Sequence, residues 1–208
     1  MSIDSSANIH PSSVIDTGAF VGANVNIGPF CHVGSEVTLN DGVELKSHVV
    51  VSGWTSIGEK TTIFPFASIG HIPQDLKFGG EHTKLEIGKR NRIREHVTMN
   101  PGTTGGGGLT KVGDDGLFMM GVHIGHDCIV GDNCIFANYA ALSGHCVVGD
   151  WAIVEGMTGV TQFVNIGAHA FIGGGCIVRK NVPPYVKAAR EPISYVGINS
   201  VGLRRRGF

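Results

Sequence analysis

An aliphatic residue returns at every sixth position over most of this chain, and no other feature restricts its fold so strongly. From Ile9 the register runs through Ile15, Val21, Ile27, Val33, Leu39, Leu45, Val51, Ile57, Ile63 and Ile69. It pauses, resumes through Ile87, Ile93 and Met99, pauses again, and continues from Val112 through Phe118, Ile124 and Val130 to Val178. All twenty-six positions in phase are apolar in a chain that is 42% hydrophobic, so chance is excluded. The fourth residue after each is usually small, as at Ala19, Ala67, Ala140 and Ala170, and the residue directly after is Gly in twelve of the twenty-six cases. A period of six matches neither the 3.6-residue helix nor the two-residue alternation of a plain strand. It matches a parallel β-helix of hexapeptides, in which each hexad supplies one short strand and one tight turn, and three hexads close a triangular coil. The aliphatic and the small residue point inward. Gly, Asn and Asp are expected at the corners, where they tolerate left-handed backbone angles.

The expected architecture is therefore a single all-β domain over residues 1–208. Repeats span about 9–183, insertions fall at 71–86 and 105–111, and a tail follows at 184–208. With 16% charged residues, net charge −1 and 7% aromatics, nothing in the bulk composition calls for nucleic acid. No apolar run approaches the ~18 residues of a membrane span. The opening MSIDSSANIH has neither the basic nor the apolar region of a signal peptide, so a cytoplasmic location is expected. Cys31, Cys128, Cys134, Cys146 and Cys176 all fall at the small inward position. They read as core residues, not as disulfides or metal ligands.

Counting coils through the two insertions locates a candidate site. With the hexad beginning at Ile124 assigned to the third side of the prism, Met99 and Ile69 also begin third-side hexads. Both insertions then leave from one corner. Leu142 and Val160 are third-side as well, so His126 stacks one coil below Gly144 and two below Gln162, and Asp127 one below His145. His123 is counted to the end of the preceding hexad, across the turn. His123, His126 and His145 all take outward positions, so a buried-core role does not explain them. Titratable groups that converge beside overhanging loops mark a functional site. The four glycines at 105–108 suit a phosphate cradle or a plain flexible loop. Without a strand–loop–helix context the flexible loop is the reading adopted. Beyond Val178, the prolines of VPPYV (182–186) are expected to end the ladder, and Arg204, Arg205 and Arg206 are suited to a phosphate or diphosphate.

The segments IHPSSVIDTGAFVGANVNIGPF, QDLKF, EIGKRNRIRE, HIGHDC, GMTGVTQF, VPPYV and GINSVGLRRRGF resemble the UDP-N-acetylglucosamine O-acyltransferase family, over residues 9–208. The resemblance implies a left-handed hand for the β-helix and a homotrimer with sites in the clefts between subunits. It implies transfer of a 3-hydroxyacyl group from acyl carrier protein to the 3-hydroxyl of UDP-N-acetylglucosamine, the first step of lipid A synthesis, with no cofactor and no metal. It gives His126 the role of general base, Asp127 that of orienting its ring and the Gly144 amide that of receiving the oxyanion. Asp75, Lys77, His123, His145 and Gln162 match substrate-contacting positions. Asn199, Arg205 and Arg206 match the uridine-diphosphate end, and Gly174 matches the acyl-chain position. The chain departs from the family pattern at Asn100-Pro101, Thr161, Pro192 and Val201, and it ends at Phe208, where the family continues into a helical region. Two related activities share parts of this pattern: an N-acyltransferase acting on the amine of the acylated sugar, and a zinc enzyme of the γ-carbonic anhydrase type, for which three imidazoles would serve as ligands.

Overall fold

The computed structural model describes residues 2–208, and it is a left-handed parallel β-helix. Most strands are two residues long, because a hexad allows only two extended residues before the chain turns the next corner. Three sheets of nine, eleven and nine strands, parallel except for one terminal hairpin, form the faces of the prism, and every third strand in the repeat adds to the same face. The backbone groups of one coil pair with those of the next, as in Gly125 N–H to the Leu142 carbonyl at 2.9 Å. This satisfies the polar backbone that a buried core would otherwise leave unpaired.

The register predicted the interior. Ile27, Leu39, Leu45, Ile57, Ile63, Ile69, Ile93, Met99, Ile124 and Leu142 are all buried, and Phe118 stacks on Phe136 with ring centroids 5.4 Å apart. Each such side chain contributes about 1.5–3 kcal/mol by leaving water. All five cysteines are buried and free.

The corners differ from expectation. Positive φ is found at Asn24, Asp115 and Asn133, as expected, but also at Phe30, His48, Phe66, Tyr139, Trp151 and Tyr185. A left-handed residue with a side chain costs roughly 1–2 kcal/mol. Here the rings repeat at the coil spacing and stack on one another, Phe30 on His48 at 4.9 Å and His48 on Phe66 at 5.1 Å, which offsets that cost. Gly28, which follows the aliphatic Ile27, serves a different need. A Cβ on Gly28 would lie 1.6 Å from the Lys46 carbonyl oxygen of the next coil. Close approach between coils, not a left-handed angle, requires glycine there.

The repeat also reaches further than the hydrophobic register suggests. Ser2–Ile3 already pairs with Phe20–Val21. Beyond the VPPYV prolines, Val182 bridges Ile166, and Val186–Ala189 pairs in parallel with Phe171–Ile172 before Ser194–Ile198 closes that sheet as an antiparallel hairpin. The prolines follow Val182 on the first face, where they leave an isolated bridge to Ile166 in place of a strand, and the third face ends with Ile177–Val178 just before them. The insertions likewise end earlier than their breaks in register. Lys84–Ile87 and Leu109–Val112 are full strands of the first face, with Leu85 and Thr110 filling the small inward position. No helix among the described residues is long and apolar enough to cross a membrane.

Candidate active site

The strands Ser68–Ile69, Thr98–Met99, His123–Ile124, Ala141–Leu142 and Gly159–Val160 are neighbours on the third face, as the coil count requires. Both insertions leave this face at its corner with the first, and His126 and Asp127 occupy the same corner. His123 is not across the turn. It is the first residue of its strand and faces out from the third sheet between Thr98 and Ala141.

His126 and Asp127 point outward yet are 7% and 6% exposed, because the second insertion folds over them. That insertion is not the featureless loop expected from its glycines. It forms a 3-10 turn over Thr104–Gly106. The Thr103 N–H donates to Asp127 Oδ1 at 2.7 Å and its hydroxyl to Oδ2 at 2.7 Å. Gly106 packs so closely that a Cβ would stand 2.0 Å from the Asp127 carboxyl carbon. Asp127 Oδ2 also meets His126 Nδ1 at 2.7 Å, and His145 Nδ1 is 3.8 Å away. The short contact to a carboxylate assigns the proton to Nδ1 and leaves Nε2 as the basic nitrogen.

The coil above completes the arrangement. The His145 ring stands edge-on to His126 at 5.0 Å and stacks on Phe163 at 4.6 Å. Gly144 lies against the His126 ring. A Cβ there would be 2.4 Å from His126 Cε1 and 2.6 Å from Nε2, so glycine is what leaves room for the imidazole. No acceptor of the protein takes the Gly144 N–H among the described residues. A cleft of about 220 Å³ runs up the face, lined by His123, His126, Gly144 and Gln162 together with Gln74, Asn100 and Ser143. Burial holds the pKa of His123 below its ordinary value, and the neighbouring His126 pushes in the same direction. His123 Nδ1 is 2.8 Å from the Thr98 hydroxyl.

Gln74, Ser143 and Thr103 have no role in the sequence-based expectations, and Asn100 enters them only as a departure from the family pattern. Asn100 holds the same repeat position as Gly125 one coil down, and the phase count places it in the cleft. Its amide donates to the His71 and Ile72 carbonyls at 3.0 and 3.4 Å, tying down the start of the first insertion, while its Oδ1 is buried without a partner. Gln74 belongs to the first insertion, where no repeat exists to count, and Thr103, four residues after Met99 and ahead of the expected 105–111, has already left the repeat for the second insertion.

Solved structures share this fold over nearly the whole chain. The UDP-N-acetylglucosamine acyltransferase of Bacteroides fragilis is 44% identical, with a TM-score of 0.88 over 99% of this chain and 78% of its own. The enzyme of Campylobacter jejuni is 37% identical, with a TM-score of 0.93 over 97% of this chain and 79% of its own. The O-acyltransferase of Moraxella catarrhalis is 42% identical, with a TM-score of 0.93 over 96% of this chain and 78% of its own. The chain belongs to the UDP-N-acetylglucosamine O-acyltransferase family. Sequence models agree: bacterial transferase hexapeptide repeats match residues 18–53 and 110–144, and the second domain of UDP-N-acetylglucosamine O-acyltransferase matches residues 181–208.

Other residues expected of this acyltransferase lie apart from His126. Asp75 and Lys77 sit in the first insertion, where Asp75 accepts the Lys77 N–H at 3.0 Å and neither lines the cleft. Asn199 is 3% exposed and caps the terminal helix Ser200–Arg205, its oxygen accepting from Gly202 N and its amide donating to the His169 carbonyl at 2.9 Å. Arg206 lies over the Trp151 ring at 5.0 Å and donates to His169 Nδ1 at 3.4 Å, at the corner between the first and second faces. Gly174 is exposed at the corner between the second and third faces. Thr161 turns its hydroxyl to the Val178 carbonyl at 3.1 Å, leaving the cleft to Gln162.

Proposed function

We propose that this acyltransferase moves a 3-hydroxyacyl group from acyl carrier protein to the 3-hydroxyl of UDP-N-acetylglucosamine in the cytoplasm, as the first step of lipid A synthesis, with His126 as general base. The observation that carries the reading is the division of labour on one imidazole: Nδ1 is held by a buried carboxylate, and Nε2 is left for the cleft. Nε2 takes the proton of the sugar hydroxyl as its oxygen attacks the thioester carbonyl. The imidazolium that forms is stabilised by Asp127, and the oxyanion is received by the Gly144 N–H. Collapse of the tetrahedral intermediate expels the carrier thiolate, which recovers a proton from Nε2.

The nucleotide end, Asn199, Arg205 and Arg206, lies on another corner of the prism. A second copy of the chain would bring it to the cleft of the first, in a homotrimer with its sites between subunits. Asp75 and Lys77 would reach substrate from the first insertion, and the small Gly174 would leave room for the acyl tail.

His126, Asp127 and His145 also offer three ligand atoms within 4.8 Å of one another, the observation that favours the zinc alternative. The contact lengths speak for the dyad. Two ligands at about 2.0–2.1 Å from a tetrahedral zinc stand roughly 3.3 Å apart, whereas His126 and Asp127 meet at 2.7 Å, a hydrogen-bond distance. His126→Ala should abolish transfer to UDP-N-acetylglucosamine and leave the fold intact. Full activity in that variant defeats the base assignment, transfer only to the 3-O-acylated glucosamine amine favours the N-acyltransferase, and one zinc per chain by elemental analysis favours the zinc enzyme.

A further inference from the structure

Asp127 is an anion held almost entirely out of water, its side chain 1% exposed. Burying a carboxylate is costly unless donors surround it. Its two oxygens accept three hydrogen bonds at 2.7 Å: one from His126 and two from Thr103. The dyad itself supplies a single donor, so the second insertion contributes most of the stabilisation of this charge.

The geometry sorts the oxygens. Oδ1 is taken by the Thr103 N–H, while Oδ2 is shared by the Thr103 hydroxyl and His126 Nδ1. The two-point grip of N–H and O–H from one residue fixes the carboxylate plane, and with it the tilt of the imidazole that Oδ2 holds. The Asp127 N–H, in turn, donates to the Thr110 hydroxyl at 2.7 Å, where the same insertion rejoins the first face. Thr103 is 6% exposed. Beside it, Thr104 donates to Glu81 of the first insertion through its hydroxyl at 3.2 Å, so the insertion that carries Thr103 is itself braced by the other.

Resting on the reading of His126 as general base, we propose that Thr103 is a positioning residue of this reaction: its hydroxyl orients Asp127, and through it the catalytic imidazole, without touching substrate.

Thr103→Val removes the hydroxyl and keeps the shape and the backbone donor, whereas Thr103→Ser keeps the hydroxyl. With sugar nucleotide and acyl carrier thioester as substrates, Thr103→Val should lower kcat about 10–100-fold, the range typical of outer-shell partners. KM for the sugar nucleotide should stay unchanged, and Thr103→Ser should restore kcat. The second readout needs no turnover. The Nδ1–H proton of His126 should give a far-downfield NMR resonance in the wild type and in Thr103→Ser, and in Thr103→Val it should shift and exchange faster with water. Wild-type kcat and an unmoved resonance in Thr103→Val would overturn the proposal, as would equal impairment of the Val and Ser variants. In an Asp127→Asn background Thr103→Val should add no further loss; full additivity would place the effect elsewhere. If His126→Ala stays active, the base assignment fails, and the resonance still reports whether Thr103 orders the dyad. If Thr103→Val loses its fold, the serine variant and the cycle in the Asp127→Asn background decide.

Discussion

At the scale of the residue, the site depends on side chains that are absent as much as on those present. Gly144 leaves the space that the His126 ring fills, so Gly144→Ala should displace the imidazole and lower kcat by about 100-fold, the effect of roughly 1 Å of misplacement. Steady-state kinetics on a variant with unchanged unfolding temperature checks this, and wild-type kcat would refute it. His123 gives a second prediction, in stability. Its folded pKa lies below the ordinary value because burial opposes the charged ring. The unfolded chain therefore binds a proton more readily, and the folded state loses stability as pH falls through the ordinary histidine range, near ~6.5. Thermal unfolding of His123→Gln should fall less between pH 7.5 and pH 5.5 than that of the wild type; an equal fall would remove His123 as the cause. His126, Gly144 and Gln162 were legible in the sequence because the repeat counts them into one column, with Asp127 and His145 in the column beside it. Thr103 was not. Its contact with Asp127 spans an insertion whose path nothing in the period determines.

At the scale of the element, the hexad carries two kinds of information, and only one is hydrophobic. The inward column was readable down to single residues, including Phe118 and Phe136, which share a face and stack. Phe118→Ala should cost about 3–5 kcal/mol, as a large buried ring leaving a cavity in a packed core; chemical denaturation measures it, and a loss under about 1 kcal/mol would mean the coils close over the gap. The corners were read less well, because left-handed angles were expected to select for Gly, Asn and Asp. Ring stacking between coils is a long-range gain that local steric preference does not show. Both insertions leave one corner, and each ends earlier than its break in register, at the strands Lys84–Ile87 and Leu109–Val112. Leu85 and Thr110 occupy inward positions two residues ahead of Ile87 and Val112, a spacing that the aliphatic register alone does not mark.

At the scale of the molecule, the cleft at His126 and the cationic corner at Arg206 belong to different edges of one prism. If each site takes one edge from each of two subunits, His126→Ala and Arg206→Ala chains that are poorly active alone should regain activity when co-assembled, and the particle should have three times the 21.9 kDa mass of the chain. Activity that fails to return in mixed assemblies would place both edges in a single subunit. The stacking itself has a further consequence. Each coil touches only the coils directly above and below it, so the fold behaves as a linear array of coupled units whose ends open most readily. Amide hydrogen exchange should accordingly be fastest near Ser2–Ile3 and slow toward the interior of the array, where His123–Ile124 sits with third-face strands on both sides. The dyad's place along the prism then shields it from end fraying, a protection that comes from position in the stack and is independent of any one contact.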